Sequence, residues 1–347
     1  MDDKPLLSVI MPCYNCSATI KKTLHSLSLN KDDSCMRMEI IAVNDGSTDS
    51  TLELLENFKT QYPELKVVSK DNGGLCSARN AGLNAASGKY IYIIDPDDFI
   101  FPGMLPQVIR EMEKNASSIA VFGTKQRMSD EEAEKLDLTL MDVPQIEFVE
   151  PFLSTTFFSS PAFVFTTFLM EMVLRRDMIG NDRFCEDICI EEDAVFIRNQ
   201  YLKDVKMSFY KKPLKTCGYR ILSTGLTLSK NPERVRNREL SRVGLLREYS
   251  KMKAGYKGNN PDVSKKLELL DSFHVYGLFV GQLGNPLLPK TEIFNLYLES
   301  EKNGKFPIVD FTNEPYYPCG LKSKLLRQIV NHKWLYKTVL NIRYLLK

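Results

Sequence analysis

The feature that most constrains this chain is the run Tyr90–Ile100, which reads Tyr-Ile-Tyr-Ile-Ile-Asp-Pro-Asp-Asp-Phe-Ile. Its first five residues are β-prone and uncharged, so they predict a buried strand rather than a helix. Pro96 cannot donate a hydrogen bond to a sheet and marks the end of that strand. Asp95, Asp97 and Asp98 then crowd three carboxylates together, and a divalent cation among them would relieve their repulsion. The alternative is an acidic turn that caps the following helix.

Apolar segments and helical patterns alternate along the N-terminal part of the chain. The predicted strands are Leu6–Met11, Met38–Val43, Leu65–Ser69 and Tyr90–Ile94. A β-α-β-α-β-α-β order with short links predicts an α/β fold, in which right-handed crossovers build a doubly wound, mostly parallel sheet. After Pro232 the pattern of apolar and polar residues changes to that of long amphipathic helices, which predicts a helical C-terminal extension.

The helical patterns also predict which side chains face the core. A Ser50-x-x-Glu53 capping box predicts the start of the second helix, and the third helix is predicted over Leu75–Ala86. The residues expected in the core are Ile20, Leu24 and Leu27 of the first helix and Leu52, Leu55 and Phe58 of the second.

Polar turns follow three of the four predicted strands, at Pro12–Asn15, Asn44–Asp49 and Asp95–Asp98. Because ligands of doubly wound sheets bind outside the carboxyl ends of the strands, these turns should converge on one crevice. The backbone N–H groups of Asn72-Gly-Gly74 open a helix and suit an anion, and Arg79 lies one turn further on. The alternative is that the Asp-Gly and Asn-Gly pairs are only turn formers.

Four segments, taken together, resemble the family 2 glycosyltransferases, which have the A-type nucleotide-sugar-binding fold. They are Leu7-Ser-Val-Ile-Met-Pro-Cys-Tyr-Asn15, Ile40-Ile-Ala-Val-Asn-Asp-Gly-Ser-Thr-Asp49, Ser77-Ala-Arg-Asn-Ala-Gly82 and Gly88-Lys-Tyr-Ile-Tyr-Ile-Ile-Asp-Pro-Asp-Asp98. The segments have the family's order and spacing and cover residues 7–98. Beyond them the resemblance is weaker and returns only in short stretches.

The resemblance implies roles for the residues of the donor site. Asp45 reads the nucleotide base, and Arg79 lies beside the base or the diphosphate. Asp95 and Asp97 match the family's Asp-x-Asp motif, which faces the ribose and holds a metal ion, Mn²⁺ or Mg²⁺, on the diphosphate. Asp98 extends that motif as a further metal ligand. The other donor-binding residues that it implies are Pro12, Tyr14 and Asn15.

The resemblance returns at Phe168–Asp177, which matches the segment before the acceptor site. Glu191–Phe196 then matches the family's acidic pair, whose second acid acts as the catalytic base, and by that match the base is Asp193. Glu186-Asp187 is a rival acidic pair that lacks the following aromatic residue at the same offset. A solvated acidic helix start is the remaining alternative. The family's segment that closes the donor site is matched by Tyr219, Arg220 and Ser223–Gly225.

A metal-binding carboxylate group and a separate acid fit a single displacement, in which one acid deprotonates the acceptor hydroxyl and the anomeric carbon is inverted. The resemblance implies a nucleotide-diphosphate donor, with a UDP-sugar as the family's commonest. The expected acceptor is a glycan or lipid-linked glycan of a surface polysaccharide. Two other functions compete. A nucleotidyltransferase would need a basic Gly-rich loop near the first strand, and Pro12–Ser17 contains neither Gly nor Lys. A non-catalytic sugar-binding scaffold would share the fold.

The change in the sequence pattern near residue 230 predicts a domain boundary. Residues 1–230 are the expected catalytic domain, with a nucleotide-sugar-binding half (1–105) and an acceptor half (106–230), and residues 231–347 are the helical region. Its tail, Lys322–Lys347, holds seven Lys or Arg residues, no acid, and Trp334, Tyr336 and Tyr344. Such a segment predicts either peripheral contact with an anionic membrane surface or a terminal helix packed on the domain.

Composition adds little beyond these motifs. The net charge of +2 over 347 residues gives no global argument for nucleic acid, and we expect none as a partner. Pro151–Met170 is uncharged, but its prolines and hydroxyl residues favour a buried wall or an apolar loop over a membrane span. The N-terminus shows no secretion signal, and the eight cysteines form no compact framework. We therefore expect a cytoplasmic protein, with peripheral contact at the inner face of the cell membrane.

Overall fold

The structure is a computed structural model that describes residues 4–32, 36–160, 168–222, 232–284, 288–309 and 321–345. The chain divides into two compact units. The first comprises Met1–Phe157, Phe165–Glu186 and Glu192–Gly225, and the second comprises Phe158–Val164, Asp187–Glu191 and Leu226–Lys347.

Among the described residues, the strands are β1 Leu7–Cys13, β2 Met38–Asp45, β3 Leu65–Lys70, β4 Tyr90–Ile93, β5 Phe99–Ile100, β6 Ile119–Val121, β7 Thr124–Ser129, β8 Phe152–Leu153, β9 Met172–Arg175, β10 Lys206–Phe209 and β11 Lys215–Ile221. The helices are α1 Ile20–Ser28, α2 Thr51–Phe58, α3 Leu75–Ala85, α4 Met104–Asn115, α5 Asp130–Lys135, α6 Ser154–Ser159, α7 Arg176–Ile179, α8 Glu192–Tyr201, α9 Pro232–Gly255, α10 Pro261–Gly284, α11 Lys290–Lys302, α12 Leu321–Asn331 and α13 Lys333–Leu345. Two 3₁₀ turns span Leu138–Leu140 and Leu169–Glu171.

The first unit is built on an eight-stranded sheet of order β3-β2-β1-β4-β9-β6-β10-β8. Strands β1 to β4 are mutually parallel, which confirms the predicted doubly wound, mostly parallel α/β fold. Strand β9 pairs antiparallel with both β4 and β6, so β6 runs in the same direction as β4. A smaller sheet of order β5-β11-β7 accompanies it. The carboxyl ends of β1, β2, β4 and β6 therefore lie at one edge of the large sheet.

Strands β1 and β2 are buried along their whole length, as expected for central strands covered by helices on both faces. Helix α3 packs very closely against β1. A methyl group at Gly82 would lie 2.3 Å from Ile10 Cγ2, so only glycine allows this approach. The close packing fixes where α3 places Arg79, three residues earlier in the same helix.

Two predictions for α2 need correction, one for its capping box and one for a core residue. The predicted core residues of α1 are all fully buried. At the start of α2, however, the Ser50 side chain makes no capping hydrogen bond, so the predicted capping box is wrong. Asp49 Oδ1 accepts the Thr51 N–H instead, at 3.0 Å. Leu55 is buried as predicted, but Leu52 is 37% exposed, because Thr51 takes the inward position.

The uncharged run 151–170 includes β8 and the whole of α6, where Phe157 and Phe158 are buried. Residues 161–167 of that run lie outside the described residues. None of the described helices combines the length and the apolar character that crossing a bilayer requires.

The second unit contains α9 to α13 and its own apolar core. Tyr297 and Tyr336 stack there with ring centroids 4.8 Å apart, and Phe279 meets both rings edge-on. The tail that was predicted as one basic amphipathic helix forms two helices, α12 and α13. Val330, Tyr336 and Leu340 of these helices belong to the core, whereas Trp334 is 74% exposed.

Candidate active site

The polar turns after β1 and β2 are joined through Asn15. This residue has a left-handed backbone with φ of 48°. Its Oδ1 accepts hydrogen bonds from the N–H groups of Thr48, at 2.8 Å, and Asp49, at 3.3 Å. Of the other two residues predicted in this turn, Pro12 is buried and Tyr14 is 50% exposed. Asn15 therefore fixes the relative position of two of the three turns at the sheet edge.

Asp45 ends β2 and is only 2% exposed. Its Oδ1 accepts from Lys70 Nζ at 2.7 Å and from Gly73 N–H at 3.0 Å, and its Oδ2 accepts from Gly74 N–H at 2.8 Å. The N–H groups that the sequence predicted to be suited to an external anion thus bind a carboxylate of the protein itself. Gly74 precedes α3 with φ of 85°, a conformation that favours glycine.

Arg79 lies in α3 with 4% of its surface exposed. Its Nη2 donates to Asp95 Oδ1 and its Nη1 to Glu192 Oε1, both at 3.0 Å. Its guanidinium lies 5.3 Å from the ring centroid of Phe184. Burial lowers the pKa of Arg79, but the charges of the two carboxylates outweigh burial and raise that pKa. The guanidinium therefore bridges the turn after β4 and the start of α8, a partnership with Glu192 that the sequence did not reveal.

The turn after β4 concentrates negative charge. Burial and the charge of Asp95 raise the pKa of Asp97 to about 6. Burial and the charges of both neighbours raise the pKa of Asp98 well above its ordinary value. Asp98 Oδ1 also accepts the N–H of Arg220 at 3.0 Å, which ties this turn to β11. The carboxylates of this turn therefore repel one another, and nearby positive groups of the protein only partly offset the repulsion.

These carboxylates fit a hard divalent cation in charge and in donor type. Within the described ranges, no three Asp, Glu, His or Cys side chains are arranged as a ready metal site. Mg²⁺ and Mn²⁺ sites on phosphates commonly use one or two carboxylates, with water and phosphate oxygens as the other ligands. Asp95 and Asp97 are half-buried and accessible for this, whereas Asp98 is 3% exposed and already has one oxygen engaged.

Asp193 lies in the first turn of α8, next to Glu192. Burial and the charge of Glu192 raise its pKa to about 7, against the opposing charge of Arg79. It lines a small cavity together with Arg79, Asp95 and Asp98. The rival residue Asp187 is exposed. The structure thus brings Asp193 to the same cavity as the acidic turn, about a hundred residues away in sequence.

Comparison with known proteins identifies the N-terminal part of the chain. Residues 8–173 match the model of the family described as Glycosyl transferase family 2. This part of the chain is therefore similar in sequence to the family 2 glycosyltransferases. The "Uncharacterized glycosyltransferase EpsJ" of Bacillus subtilis (strain 168) is 31% identical over 198 residues, which are 55% of this chain and 55% of that protein. The chondroitin synthase of Pasteurella multocida (strain Pm70) is 34% identical over 125 residues, which are 36% of this chain and 13% of that protein. The match to EpsJ thus spans about half of that relative, and the match to the synthase a much smaller part.

Solved structures share the fold. S. aureus TarS 1-349, solved in complex with UDP-GlcNAc, is 18% identical, has a TM-score of 0.59, and is matched over 96% of this chain and 90% of that chain. The mannosyltransferase PcManGT from Pyrobaculum calidifontis, solved with GDP-Man and Mn²⁺, is 14% identical with a TM-score of 0.52, over 99% of this chain and 88% of that chain. At these identities the likeness establishes the glycosyltransferase A-type fold.

The residues that match the family model supply only part of the cavity wall. The acidic side chains and Arg79 share the cavity with apolar and aromatic neighbours, which are Ile93, Phe168, Leu169, Met170 and Tyr219. Asp193 and Tyr219 come from beyond the matched residues 8–173. The cavity is therefore lined both by residues that match the family model and by residues from later in the chain.

Sequence reasoning missed Lys125 beside this cavity. Its Nζ lies over the ring of Phe168 and 4.5 Å from the ring centroid of Tyr219. One signal could have revealed it. The apolar run Ile119–Phe122 ends three residues before Lys125, and ligands of doubly wound sheets bind in the turns that follow the carboxyl ends of such strands.

Arg220 has a different environment from the one that the resemblance implied. Its Nη1 donates to Asp130 Oδ1 at 2.7 Å and to Glu134 Oε1 at 2.6 Å, both in α5. The guanidinium is thus engaged by α5, and its backbone N–H rather than its side chain contacts the acidic turn. Ser223–Gly225, the rest of that predicted segment, lie outside the described residues.

Proposed function

We propose that this protein is an inverting, metal-dependent glycosyltransferase of surface polysaccharide synthesis. It moves a sugar from a nucleotide-diphosphate donor, a UDP-sugar, to a hydroxyl group of a glycan or lipid-linked glycan. The observation that carries the proposal is the arrangement of Asp95 and Asp98, from one turn, and Asp193, from α8, around one cavity. The names of its relatives, EpsJ and the chondroitin synthases, support the same class of reaction.

Asp95 and Asp97, with Asp98 behind them, would hold Mn²⁺ or Mg²⁺. When bound, the cation supplies positive charge that stabilises the diphosphate as it leaves. The raised pKa of Asp97 supports this role, because it reflects negative charge that a cation would neutralise. The presence of Mn²⁺ in the PcManGT complex is in line with the proposal.

Asp193 acts as the general base. The acceptor hydroxyl loses its proton to the Asp193 carboxylate as its oxygen attacks the anomeric carbon, and the nucleotide diphosphate departs from the opposite face. A pKa of about 7 suits this task, because the carboxylate is then both available and sufficiently basic near neutral pH. Arg79 positions the site by holding Asp95 and the neighbour of the base, Glu192.

Asp45 and the turn Pro12–Asn15 form the nucleotide end of the donor site, with Tyr14 the most exposed side chain among them. The hydrogen bonds that Asp45 accepts from Lys70 and the glycine N–H groups hold its carboxylate in one orientation. Solved complexes of TarS contain UDP or UDP-GlcNAc, which supports uracil as the base of the donor nucleotide.

The two helices α12 and α13 would place the enzyme at an anionic membrane surface. They expose Leu321, Leu325 and Trp334 beside Lys322 and Lys324. Aromatic and aliphatic side chains beside lysines favour the headgroup region of an anionic bilayer. This location, at the inner face of the cell membrane, suits an acceptor that grows on a lipid carrier.

A nucleotide-sugar hydrolysis assay over a panel of UDP-, GDP- and CDP-sugars tests the proposal, with Mn²⁺, with Mg²⁺ and with a chelator. We expect metal-dependent release of one nucleoside diphosphate with an intact sugar product. Release of pyrophosphate from nucleoside triphosphates would favour a nucleotidyltransferase. Donor binding without turnover, in the presence of a wide panel of glycan acceptors, would favour a sugar-binding scaffold.

A further inference from the structure

Lys125 places a positive charge against two of the aromatic rings that line the cavity. Its backbone N–H donates to Glu171 Oε1 at 3.0 Å, which holds the residue in place at the start of β7. Its Nζ lies against the rings of Phe168 and Tyr219, and both of these rings line the cavity. Within the described ranges, Nζ forms neither an ion pair nor a hydrogen bond. Aromatic faces attract an ammonium group without satisfying its N–H donors, so these donors stay available for an anion.

The two arginines that contact the acidic turn already have carboxylate partners for their side chains. Arg79 donates to Asp95 and Glu192, and Arg220 donates to two carboxylates of α5. An anionic group beside the rings of Phe168 and Tyr219 would therefore meet the ammonium group of Lys125 rather than these two guanidinium groups. Such an ion pair is stronger here than in water, because the surroundings are partly apolar.

The position of Lys125 indicates which ligand group it meets. Lys125 Nζ lies against the ring of Tyr219, and the next residue, Arg220, donates its backbone N–H to Asp98 of the acidic turn at 3.0 Å. The charges that shift the pKa of Asp193 are those of Glu192, Arg79 and Asp95, and the charge of Lys125 is not among them. Lys125 thus lies on the diphosphate side of the cavity, rather than on the side of the base. Burial lowers the pKa of Lys125 to about 8, against the charges of Glu171 and Asp98, which leaves it mainly protonated at neutral pH.

We propose that the Lys125 ammonium group binds the β-phosphate of the donor's diphosphate, where negative charge accumulates as the sugar leaves. This inference rests on the proposed glycosyltransferase function. Lys125 would add a point charge to the leaving-group site, independent of the carboxylates that hold the cation. A lysine held by aromatic rings keeps this charge close to the phosphate without binding a carboxylate of the protein.

The test compares Lys125→Met, which keeps the apolar stem between the rings, with Lys125→Arg, which keeps the charge. Calorimetry measures the affinity of each variant for UDP and UMP, and for the GDP and CDP pairs. Removing one charged contact should weaken binding of the diphosphate by about tenfold to a hundredfold and leave the monophosphate unchanged. Lys125→Arg should retain most of the affinity. Lys206→Met is the matched control, because it removes an exposed lysine at the start of β10, on the opposite edge of the sheet.

The outcomes separate this inference from the proposed function. If the wild-type protein binds none of the nucleotides, the proposed function fails and the inference falls with it. If the wild-type protein binds a diphosphate and Lys125→Met binds it equally well, the inference is overturned alone. Equal losses for diphosphate and monophosphate would indicate a structural role and would also overturn it. Lys125→Gln is measured in parallel, so that a folding defect specific to the methionine variant does not leave the question open.

Discussion

Arg79 connects the two acidic groups that the proposed reaction needs. Its two Nη atoms bind one carboxylate from the turn after β4 and one from the start of α8. A buried guanidinium between two acids supplies positive charge where their repulsion would otherwise be largest. A single residue of α3 thereby holds the acidic turn after β4 and the start of α8 next to each other.

Asp193→Asn tests the base. The amide keeps the size of the side chain but cannot accept the acceptor's proton, so transfer should fall by about a hundredfold to ten-thousandfold. Donor affinity should hardly change, because the donor contacts lie in other turns. In the wild-type protein, the pKa of about 7 predicts that transfer declines as the pH falls below about 7, where the base becomes protonated. Steady-state kinetics and donor calorimetry measure these effects.

Asp187→Asn is the matched control for that experiment, since it removes the same charge from the exposed rival pair. Loss of transfer in Asp187→Asn, with Asp193→Asn near wild type, would place the base in the rival pair. Activity in both variants, together with a product of retained anomeric configuration, would rule out the single displacement.

Asp97→Asn tests the metal site. It removes one charge from the acidic turn, so activity should fall by at least about a hundredfold while the fold persists. Donor binding should also lose its dependence on Mn²⁺, which calorimetry with and without a chelator measures. Asp177→Asn, an exposed carboxylate in α7, is the control. Full activity of the wild-type protein in chelator would contradict the metal assignment.

At the scale of elements, Glu39 of β2 joins three neighbouring segments. It accepts from Ser8 Oγ of β1 at 2.6 Å, from Lys66 Nζ of β3 at 2.6 Å, and from the N–H of Ser87 before β4 at 2.8 Å. Burial alone would raise its pKa, but these hydrogen bonds outweigh burial and lower the pKa to about 2. The carboxylate therefore stabilises the parallel part of the sheet as long as it is ionised.

The lowered pKa of Glu39 predicts a pH-dependent stability. The folded state holds this group ionised where the unfolded chain would protonate it, so the stabilisation is complete above a pH of about 4.5 and is lost as the pH falls towards 2. The shift corresponds to about 3 kcal/mol. Glu39→Gln should remove this part of the acid dependence, which denaturant unfolding at several pH values measures.

The control for the stability experiment is Glu53→Gln, because Glu53 is exposed in α2. Its unfolding free energy should follow the wild-type pH dependence. An unchanged acid dependence in Glu39→Gln would show that Glu39 does not carry the linkage.

At the scale of the whole molecule, the basic tail has a face that packs into a core and a face that is exposed and basic. Its buried residues, Val330, Tyr336 and Leu340, belong to the core of the second unit, so removing the tail would disrupt that core. Its exposed lysines and Trp334 remain available to an anionic surface. Surface substitutions therefore test membrane contact more cleanly than truncation.

Lys322→Gln combined with Lys324→Gln should weaken binding to anionic vesicles by on the order of tenfold or more, because each lysine near such a surface contributes about 1 kcal/mol. Vesicle sedimentation at low and high salt measures the effect, with phosphatidylcholine vesicles as the neutral reference. Lys290→Gln combined with Lys302→Gln removes the same charge from α11 and should leave binding unchanged. Equal binding of all variants to anionic vesicles would indicate that the tail only packs on the core of the second unit.

Sequence by itself determined the α/β alternation, the strand positions and the residues after each strand, because these depend on periodicity and turn chemistry within a few residues. Only the tertiary structure determined which distant residues form hydrogen bonds and ion pairs with each other. Arg79 and Glu192 are 113 residues apart, and Asp45 accepts N–H groups 28 and 29 residues later. The insertion of antiparallel β9 between β4 and β6 was likewise invisible in sequence. Local patterns specify which face of an element is apolar, but only the packing of the complete chain brings distant charges within contact.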